Sequence, residues 1–233
     1  MSQALPNDEQ LRHDAQVRDF INSELQTRFA PEDAVLQNSL KRAQAEGIPA
    51  IQISPLQGKL LQVLALTCGA RKILELGVLA GYSGTWLARS LPPDGKFISL
   101  EINPKHAEIA RATFAEAGLT ERTEVRIGPA LDLLPTLVSE APFDLIFIDA
   151  DKGNSPQYLD WAIKLSRVGA LIIADNAIRY GGVFQNPPSD ENAKGMAAYN
   201  SKSLEHPRLV TVAIPNDDDG MDGFAISVVQ PPV

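Results

Sequence analysis

The chain has 233 residues, enough for one α/β domain with a full hydrophobic core. Its 21 basic and 29 acidic residues give a net charge of −8 without a basic stripe, which argues against nucleic acid or an anionic membrane surface as a partner. The single cysteine, Cys68, rules out an intrachain disulfide, and the first residues are too polar for a signal peptide. No run of about 18 apolar residues exists to span a bilayer. We therefore expect a cytoplasmic protein that acts on a small molecule.

Helical patterns precede the first predicted strand. Apolar residues recur at helical spacing from Asn7 to Phe29, and a second helix is predicted from Pro31 to about Glu46. A short extended stretch then leads into a helix from Leu56 to Cys68. We interpret residues 1–50 as a helical extension that covers the ligand crevice or makes a dimer contact, and residues 51–233 as the α/β core of the same domain.

From Lys72 onward, predicted strands and helices alternate, which is typical of a doubly wound, mostly parallel sheet. The predicted strands are Lys72 to Leu76, Lys96 to Glu101, Glu124 to Ile127, a central strand within Phe143 to Lys152, and Ala170 to Asn176. The predicted helices between and after them are about Tyr82 to Leu91, Pro104 to Ala117, Leu131 to Glu140, Pro156 to Ser166 and, after a loop from Gly181 to Asp190, Asn192 to Leu204. Two last strands, Leu209 to Ile214 and Phe224 to Val229, are joined by an acidic turn without a helix, which predicts an antiparallel hairpin at one edge of the sheet.

Two of these strands end in oxygen donors. An apolar run stops at Asp149, and the run ALIIADN ends in Asp175 and Asn176. Because the carboxyl ends of strands in an open α/β sheet face the ligand crevice, these side chains can converge on one cation. Oxygen ligands suit Mg²⁺, Mn²⁺ or Ca²⁺ and not zinc. Helix capping after each strand is the alternative, but it does not explain why both strands end alike.

Lys152 follows Asp149 by three positions and therefore shares the predicted pocket. The pKa of a lysine falls readily on burial or beside a cation, which makes Lys152 a candidate base, with a solvated loop lysine as the alternative. The three histidines, His13, His106 and His206, are scattered and are predicted to be surface or capping residues. The acidic run at 217–219 lacks the ligand spacing of a calcium loop and is interpreted as a solvated turn.

A glycine-rich turn, ELGVLAGYSG, follows the first strand. It lacks the spacing G-x-G-x-x-G, so a site for a dinucleotide pyrophosphate is not supported. Glu75 would repel a polyphosphate but could pair, directly or through water, with the ammonium of an amino-acid-like cofactor. Glu101 ends the second strand 24 positions after Gly77, close to the spacing at which an acidic residue binds ribose hydroxyls. An adenosine group is therefore implied; glycines needed only for packing are the alternative.

In combination these motifs resemble the cation-dependent, S-adenosylmethionine-dependent O-methyltransferases of the caffeoyl-CoA and catechol type. The segments ELGVLAGYSG, LEINPKHAEIA, GPALDLLP, FDLIFIDADK and ADN occur in the order and spacing of that family, over about Ile51 to Val229. The resemblance implies a class I methyltransferase fold, Rossmann-like, with a seven-stranded sheet that ends in a hairpin. It also implies a single O-methyltransferase domain over residues 1–233 and a homodimer.

The resemblance implies a role for individual residues. Lys152 would be the catalytic base, and a divalent cation, first of all Mg²⁺, would be bound by Asp149, Asp175 and Asn176. The cofactor site would be lined by Ile53, Glu75, Gly77, Ser83, Glu101, Ala130 and Asp149. The implied reaction transfers the methyl group of S-adenosylmethionine to a hydroxyl of a small aromatic acceptor. Because a vicinal diol could occupy two open positions on the cation, an ortho-dihydroxy aromatic is expected.

The chain departs from the family pattern beside the predicted acceptor pocket. It has Arg179 and Tyr180 after ADN, where an aromatic residue is common, and Ser155 where a tyrosine is common. These departures predict a more polar pocket. Two other functions stay open at this point. A nucleoside-cofactor oxidoreductase on a similar sheet lacks the phosphate fingerprint, and a catalytically silent binding module is possible because a fold alone does not imply a function.

Overall fold

The computed structural model describes the backbone of residues 8–232 and the side chains of residues 14–232. Seven strands form one sheet: β1 (Lys72–Leu76), β2 (Lys96–Glu101), β3 (Thr123–Ile127), β4 (Phe143–Ile148), β5 (Ser166–Ala174), β6 (Leu209–Pro215) and β7 (Gly223–Val229). Their order across the sheet is β3-β2-β1-β4-β5-β7-β6. The first five strands are parallel, whereas β7 is antiparallel to both β5 and β6. The predicted doubly wound sheet with a C-terminal hairpin at its edge is confirmed.

The strand order reverses between β1 and β4. From β1 the chain builds outward through β2 and β3 on one side, and then continues on the other side through β4 and β5. The two connections leave β1 and β4 in opposite directions, so a crevice opens above the carboxyl ends of these strands. This topology places the ends of β1, β4 and β5 around one crevice, as the sequence predicts.

The described helices are α1 (Asp8–Phe29), α2 (Ala34–Ala45), α3 (Pro55–Thr67), α4 (Tyr82–Ala88), α5 (Pro104–Glu116), α6 (Ala130–Leu133), α7 (Ser155–Leu165) and α8 (Glu191–Glu205). The predicted helix over 131–140 is shorter, because α6 passes into a 3₁₀ turn, Leu134–Ser139, that has Pro135 in its first positions. The predicted loop over 181–190 contains a 3₁₀ segment, Arg179–Phe184. Within residues 8–232, no helix is long and apolar enough to cross a lipid bilayer.

Both faces of the sheet are covered. Leu74, Ile146 and Ile172 pack in the core on one face, whereas Ile73 and Phe147 pack in the core on the other. Successive residues of a strand point to opposite faces, so strands buried on both sides read as continuous apolar runs. The start of β5 at Ser166 was not predicted, because its first four residues are only partly buried or exposed and carry no apolar signal.

The N-terminal helices lie close to the crevice. On α1, Gln26 donates a hydrogen bond to the Asp218 carboxylate in the β6–β7 turn at 3.0 Å. The loop between α1 and α2 contacts α4, where the Tyr82 hydroxyl donates to Glu32 at 2.7 Å. These contacts join the extension to both sides of the crevice. The division of the chain into an extension of residues 1–50 and a core stays a prediction.

Candidate active site

A cavity of about 980 Å³ lies above the carboxyl ends of β1, β2 and β4. Eight of the sequence-predicted site residues line it: Ile53, Gly77, Ser83, Glu101, Ala130, Asp149, Lys152 and Asn176. The other two, Glu75 and Asp175, are buried and are not on the wall. The structure therefore gathers the predicted residues at one place but divides them into a wall and a layer behind it.

Gly77 brings the turn after β1 against the end of β4. Its φ of +92° favours glycine, and a Cβ added there would lie 2.3 Å from the carbonyl oxygen of Asp149. The Asp149 amide in turn donates to the carbonyl of Leu76 at 2.9 Å. Any side chain at position 77 would therefore displace Asp149. Gly77 both lines the cavity and fixes the position of the predicted metal ligand.

Glu101 holds the backbone of the glycine-rich turn from the end of β2. Its Oε2 accepts from the amides of Val78 and Leu79 at 3.2 and 3.1 Å, and its Oε1 accepts from the amide of Asn103 at 2.9 Å. Carboxylate oxygens have about four lone-pair sites, so acceptor capacity remains toward the cavity. The predicted contact with ribose hydroxyls is compatible with this geometry, and the same carboxylate also shapes the turn.

Glu75 lies behind Ser83. The hydroxyls of Ser83 and Ser99 donate to its two carboxylate oxygens at 2.6 and 2.9 Å, and the residue is fully buried. Burial raises the pKa of Glu75 to about 8, against the effect of these two hydrogen bonds. Of Glu75 and Ser83, Ser83 is the one that lines the cavity. Any effect of Glu75 on a ligand is therefore transmitted by Ser83 or by the electrostatic field of the carboxylate.

His106 lines the cavity, although the sequence predicted a surface or capping residue. Its Nδ1 lies 3.7 Å from Oε1 of Glu101. The signal that could have identified it is its place in the first turn of α5, three residues after the capping residue Asn103 and directly above the end of β2. Of the residues in that turn, His106 is the one that lines the cavity.

Asp149, Lys152 and Asp175 form a compact charged cluster at the ends of β4 and β5. The Lys152 ammonium donates to Oδ1 of Asp149 at 2.9 Å, and Lys152 and Asp175 are each 8% exposed. Burial and then the Asp149 carboxylate raise the pKa of Asp175, while the Lys152 charge opposes them. Two carboxylates with one ammonium leave this buried cluster short of positive charge.

The side-chain amide of Asn176 is oriented by a hydrogen bond to the turn between β6 and β7. Its backbone has a φ of +61°, which asparagine tolerates better than most residues. Its Nδ2 donates to Oδ2 of Asp222 at 3.1 Å. Because the amide nitrogen is directed to Asp222, the amide oxygen is free to accept on the cavity side. No pattern in the sequence indicated a role for Asp222, which is buried in the β6–β7 turn.

The donor set fits a hard divalent cation. Within residues 14–232, no group of three His, Cys, Asp or Glu side chains is arranged to hold a metal ion. The predicted set is of another kind, because it combines the carboxylates of Asp149 and Asp175 with the Asn176 amide. Such oxygen donors suit Mg²⁺, Mn²⁺ or Ca²⁺. A cation there would offset the repulsion from Asp149, which adds to burial in raising the pKa of Asp175.

The three residues that depart from the family pattern lie in different parts of the structure. Arg179 lines the cavity, but Tyr180 is 65% exposed and is not part of the wall. Ser155 is buried and also is not on the wall. One helical turn later, Tyr158 reaches the cavity and donates its hydroxyl to Asp151. Of the three departures, Arg179 is therefore the one that adds a polar group to the wall of the pocket.

The comparisons with known proteins agree with this geometry. A family model described as O-methyltransferase matches residues 26–223. The chain belongs to the O-methyltransferase family. It is 49% identical to a catechol O-methyltransferase of Niastella koreensis, over 85% of this chain and 91% of the relative, and 43% identical to one of Mycobacterium tuberculosis, over 90% and 95%. It also superposes on the O-methyltransferase from Bacillus cereus in complex with SAH, with a TM-score of 0.88 and 42% identity over 92% of this chain and 99% of that one.

Membership of the O-methyltransferase family confirms the family predicted from the motifs. It also removes the support for the oxidoreductase alternative, which depended on the same glycine turn and Glu101. Turnover on a catechol separates an active enzyme from a catalytically silent member of the family.

Proposed function

We propose that this O-methyltransferase transfers the methyl group of S-adenosylmethionine to a hydroxyl of a small ortho-dihydroxy aromatic acceptor, with a divalent cation. The observation that carries the proposal is the convergence of Asp149, Lys152 and Asn176 on the wall of the cavity whose other wall carries Glu101. The relatives named catechol O-methyltransferase and the SAH complex of the Bacillus cereus protein support it.

The methyl donor would occupy the side of the cavity formed by the turn after β1 and the end of β2. Glu101 would accept hydrogen bonds from the ribose hydroxyls, and Ala130 and Ile53 would contact the nucleoside. Ser83, Gly77 and Asp149 line the part of the cavity nearer β4 and would surround the amino-acid end. The negative charge of Asp149 and Glu101 suits a cationic donor better than a polyphosphate.

The acceptor would lie beside the ends of β4 and β5. Asp149, Asp175 and Asn176 would hold the cation, with Mg²⁺ expected first and Mn²⁺ or Ca²⁺ as alternatives. When bound, the cation supplies Lewis acidity that lowers the pKa of an acceptor hydroxyl. With the cation on Asp149, Lys152 in its neutral amine form would take the proton of that hydroxyl, since its Nζ lies 2.9 Å from Oδ1 of Asp149. The buried walls would exclude water and align the hydroxyl oxygen with the donor.

Ligand binding tests the donor assignment without requiring turnover. S-adenosylhomocysteine should raise the melting temperature of the protein, because a ligand at a hundred times its dissociation constant stabilises by about 2.7 kcal/mol. NAD and NADP should give no shift. A protein that is not stabilised by saturating S-adenosylhomocysteine would contradict the proposal.

Chelation tests the cation. Methyl transfer to catechol should stop in EDTA and return with Mg²⁺ or Mn²⁺, whereas S-adenosylhomocysteine should still bind in EDTA. Asp175→Ala should behave like the chelated enzyme. Full activity in EDTA, after co-purifying metal has been excluded by elemental analysis, would remove the cation from the mechanism. Binding of the donor with no turnover on any ortho-dihydroxy aromatic would favour the silent module.

We also propose a homodimer. The described part of α1 exposes apolar side chains, with Phe20 66% and Phe29 64% accessible, and the edge strand β6 exposes Val210 and Val212. Apolar groups gathered on surface elements are typical of association sites. Light scattering coupled to gel filtration should give twice the chain mass of 25.2 kDa, and a monomer at micromolar concentration would contradict this proposal.

A further inference from the structure

Arg179 places a guanidinium on the cavity wall, where no carboxylate among residues 14–232 lies within hydrogen-bond distance of it. Its side chain is 24% exposed, and its Nη2 lies 3.9 Å from Oδ1 of Asp190, too far for a hydrogen bond. That oxygen already accepts from the Ala193 amide at 2.8 Å, because Asp190 caps α8. Nε of Arg179 is buried and has no hydrogen-bond partner among the described residues. A buried guanidinium nitrogen without a partner costs free energy unless a ligand pairs with it.

The backbone holds Arg179 in place at a conformational cost. Its φ of +46° is rare for a residue with a branched or long side chain. The Asp222 carboxylate stabilises this conformation by accepting from the amides of Ile178 and Arg179 at 3.1 and 2.9 Å. The same carboxylate orients Asn176 at 3.1 Å. Asp222 therefore positions both the backbone of Arg179 and the side chain of Asn176 at the predicted cation site.

The other basic side chains on the cavity wall lie closer to a carboxylate than Arg179 does. Lys152 is paired with Asp149 at 2.9 Å, and His106 lies 3.7 Å from Glu101. The wall also carries the acid Asp151, whose carboxylate accepts from Tyr158. With the diol of a ligand on the cation, an anionic group elsewhere on that ligand would be repelled near these acids and attracted at the Arg179 side of the cavity. A ligand with one acidic group would thus be oriented by charge.

We propose that Arg179 binds a carboxylate on the acceptor, so that the preferred substrates are ortho-dihydroxy aromatic acids. This inference rests on the proposed function and names the substrate class of the same site. The planar fork of a guanidinium matches a carboxylate in a bidentate pair, which neutral acceptors cannot form. Asn192, at the start of α8, lines the same cavity and offers a further amide to a ligand. With the carboxylate at Arg179, the diol is directed to Asp149 and Lys152.

The wild-type enzyme provides the first test. Values of kcat/KM are measured for 3,4-dihydroxybenzoate, its methyl ester and catechol at saturating donor and Mg²⁺. The acid should be preferred over the ester by about ten- to a hundredfold, as expected for a charge-assisted hydrogen bond. Equal values for acid and ester would overturn the inference and leave the proposed function intact. Failure to methylate any of the three would overturn both.

Variants assign the preference to this side chain. Arg179→Asn removes the charge and tolerates the left-handed backbone, and it should lower kcat/KM for the acid by about ten- to a hundredfold, mainly through KM, while the ester stays within about threefold. Arg179→Lys should recover part of the loss, because an ammonium keeps the charge without the fork. Arg71→Asn, at the opposite end of the sheet, is the matched control and should leave all three substrates unchanged.

Calorimetry gives a readout independent of turnover. In the presence of S-adenosylhomocysteine and Mg²⁺, the dissociation constant of 3,4-dihydroxybenzoate should rise about tenfold or more in Arg179→Asn, and that of the ester should not. A loss of affinity for both ligands would mean that Arg179 only supports the loop structure, and it would overturn the inference.

Discussion

The two halves of the cavity are assembled by different parts of the chain. In the half lined by the turn after β1 and the end of β2, here the donor half, Glu101 accepts hydrogen bonds from Val78 and Leu79, 22 to 23 residues away. In the half lined by the ends of β4 and β5 and by Arg179, here the acceptor half, Asp222 binds groups 43 to 46 residues away. The turn of the donor half is thus held within one strand-helix-strand unit, whereas the acceptor half is held by the C-terminal hairpin. Changes in the hairpin should therefore affect the acceptor half alone.

The largest effect is expected at Lys152 in the acceptor half. Lys152→Ala should lower kcat by about 10²- to 10⁴-fold, because a general base typically contributes that much. Binding of S-adenosylhomocysteine in the donor half should persist. Lys164→Ala, on the outer surface of α7, serves as the control. Steady-state kinetics and calorimetry check both statements, and a rate within a few-fold of wild type would exclude Lys152 as the base.

The stability of the donor half should depend on pH through Glu75. Its pKa is raised from 4.5 to about 8, so the folded protein binds this proton more tightly than the unfolded chain does. The stabilisation is complete below pH 4.5 and is lost as the pH rises toward 8. Glu75→Gln resembles the protonated form, and at pH 8.5 it should exceed wild type by a few kcal/mol in free energy of unfolding.

Urea denaturation of the unliganded proteins at several pH values measures that difference. At about pH 4.5 wild type and Glu75→Gln should have similar stability, which provides the internal control, and the gap should widen as the pH increases. A gap that does not change with pH would show that Glu75 is ionised in the folded protein throughout this range.

Removing the charge of Glu101 should weaken binding of the methyl donor without disrupting the glycine-rich turn. Glu101→Gln keeps the size of the side chain and one oxygen for the turn, but a charged acceptor contributes about 1.5–3 kcal/mol to a hydrogen bond. The dissociation constant of S-adenosylhomocysteine should therefore rise by about ten- to a hundredfold, with Mg²⁺ affinity unchanged. Calorimetry checks both constants. Unaltered affinity for S-adenosylhomocysteine would leave Glu101 with a purely structural role in the turn.

Asp222→Asn tests whether the hairpin controls the acceptor half. The variant keeps one oxygen for the amides of Ile178 and Arg179, but its new amide group faces Nδ2 of Asn176. The Asn176 amide should turn around and present nitrogen to the cavity. Mn²⁺ affinity should fall by about 10- to 100-fold, as for other residues that orient metal ligands, while S-adenosylhomocysteine binds normally.

A matched control for Asp222→Asn lies in the same turn. Asp218 is exposed and contacts Gln26 of α1. Asp218→Asn should leave Mn²⁺ affinity unchanged, as measured by electron paramagnetic resonance or calorimetry. If both variants lose Mn²⁺ to the same extent, the effect belongs to the turn as a whole and not to the orientation of Asn176.

The sequence predicted the sheet and eight of the residues that line the cavity. Buried parallel strands produce continuous apolar runs, and each run ends where polar residues begin. The ends of β4 and β5 could therefore be placed side by side, with Asp149, Asp175 and Asn176 at one edge, and the structure confirms that these strands are neighbours. The hairpin was predicted for a similar reason, because two strands without an intervening helix must be antiparallel neighbours.

The tertiary structure alone decided how those residues are oriented. It placed Glu75 behind Ser83, brought His106 to the wall, left Ser155 buried away from it, and directed Arg179 into the cavity. Strand ends follow from a periodic, local pattern, so a sequence can specify them. The direction of a side chain at a strand end depends on contacts with distant segments, such as the turn that carries Asp222. These contacts form only when all seven strands have assembled into the sheet.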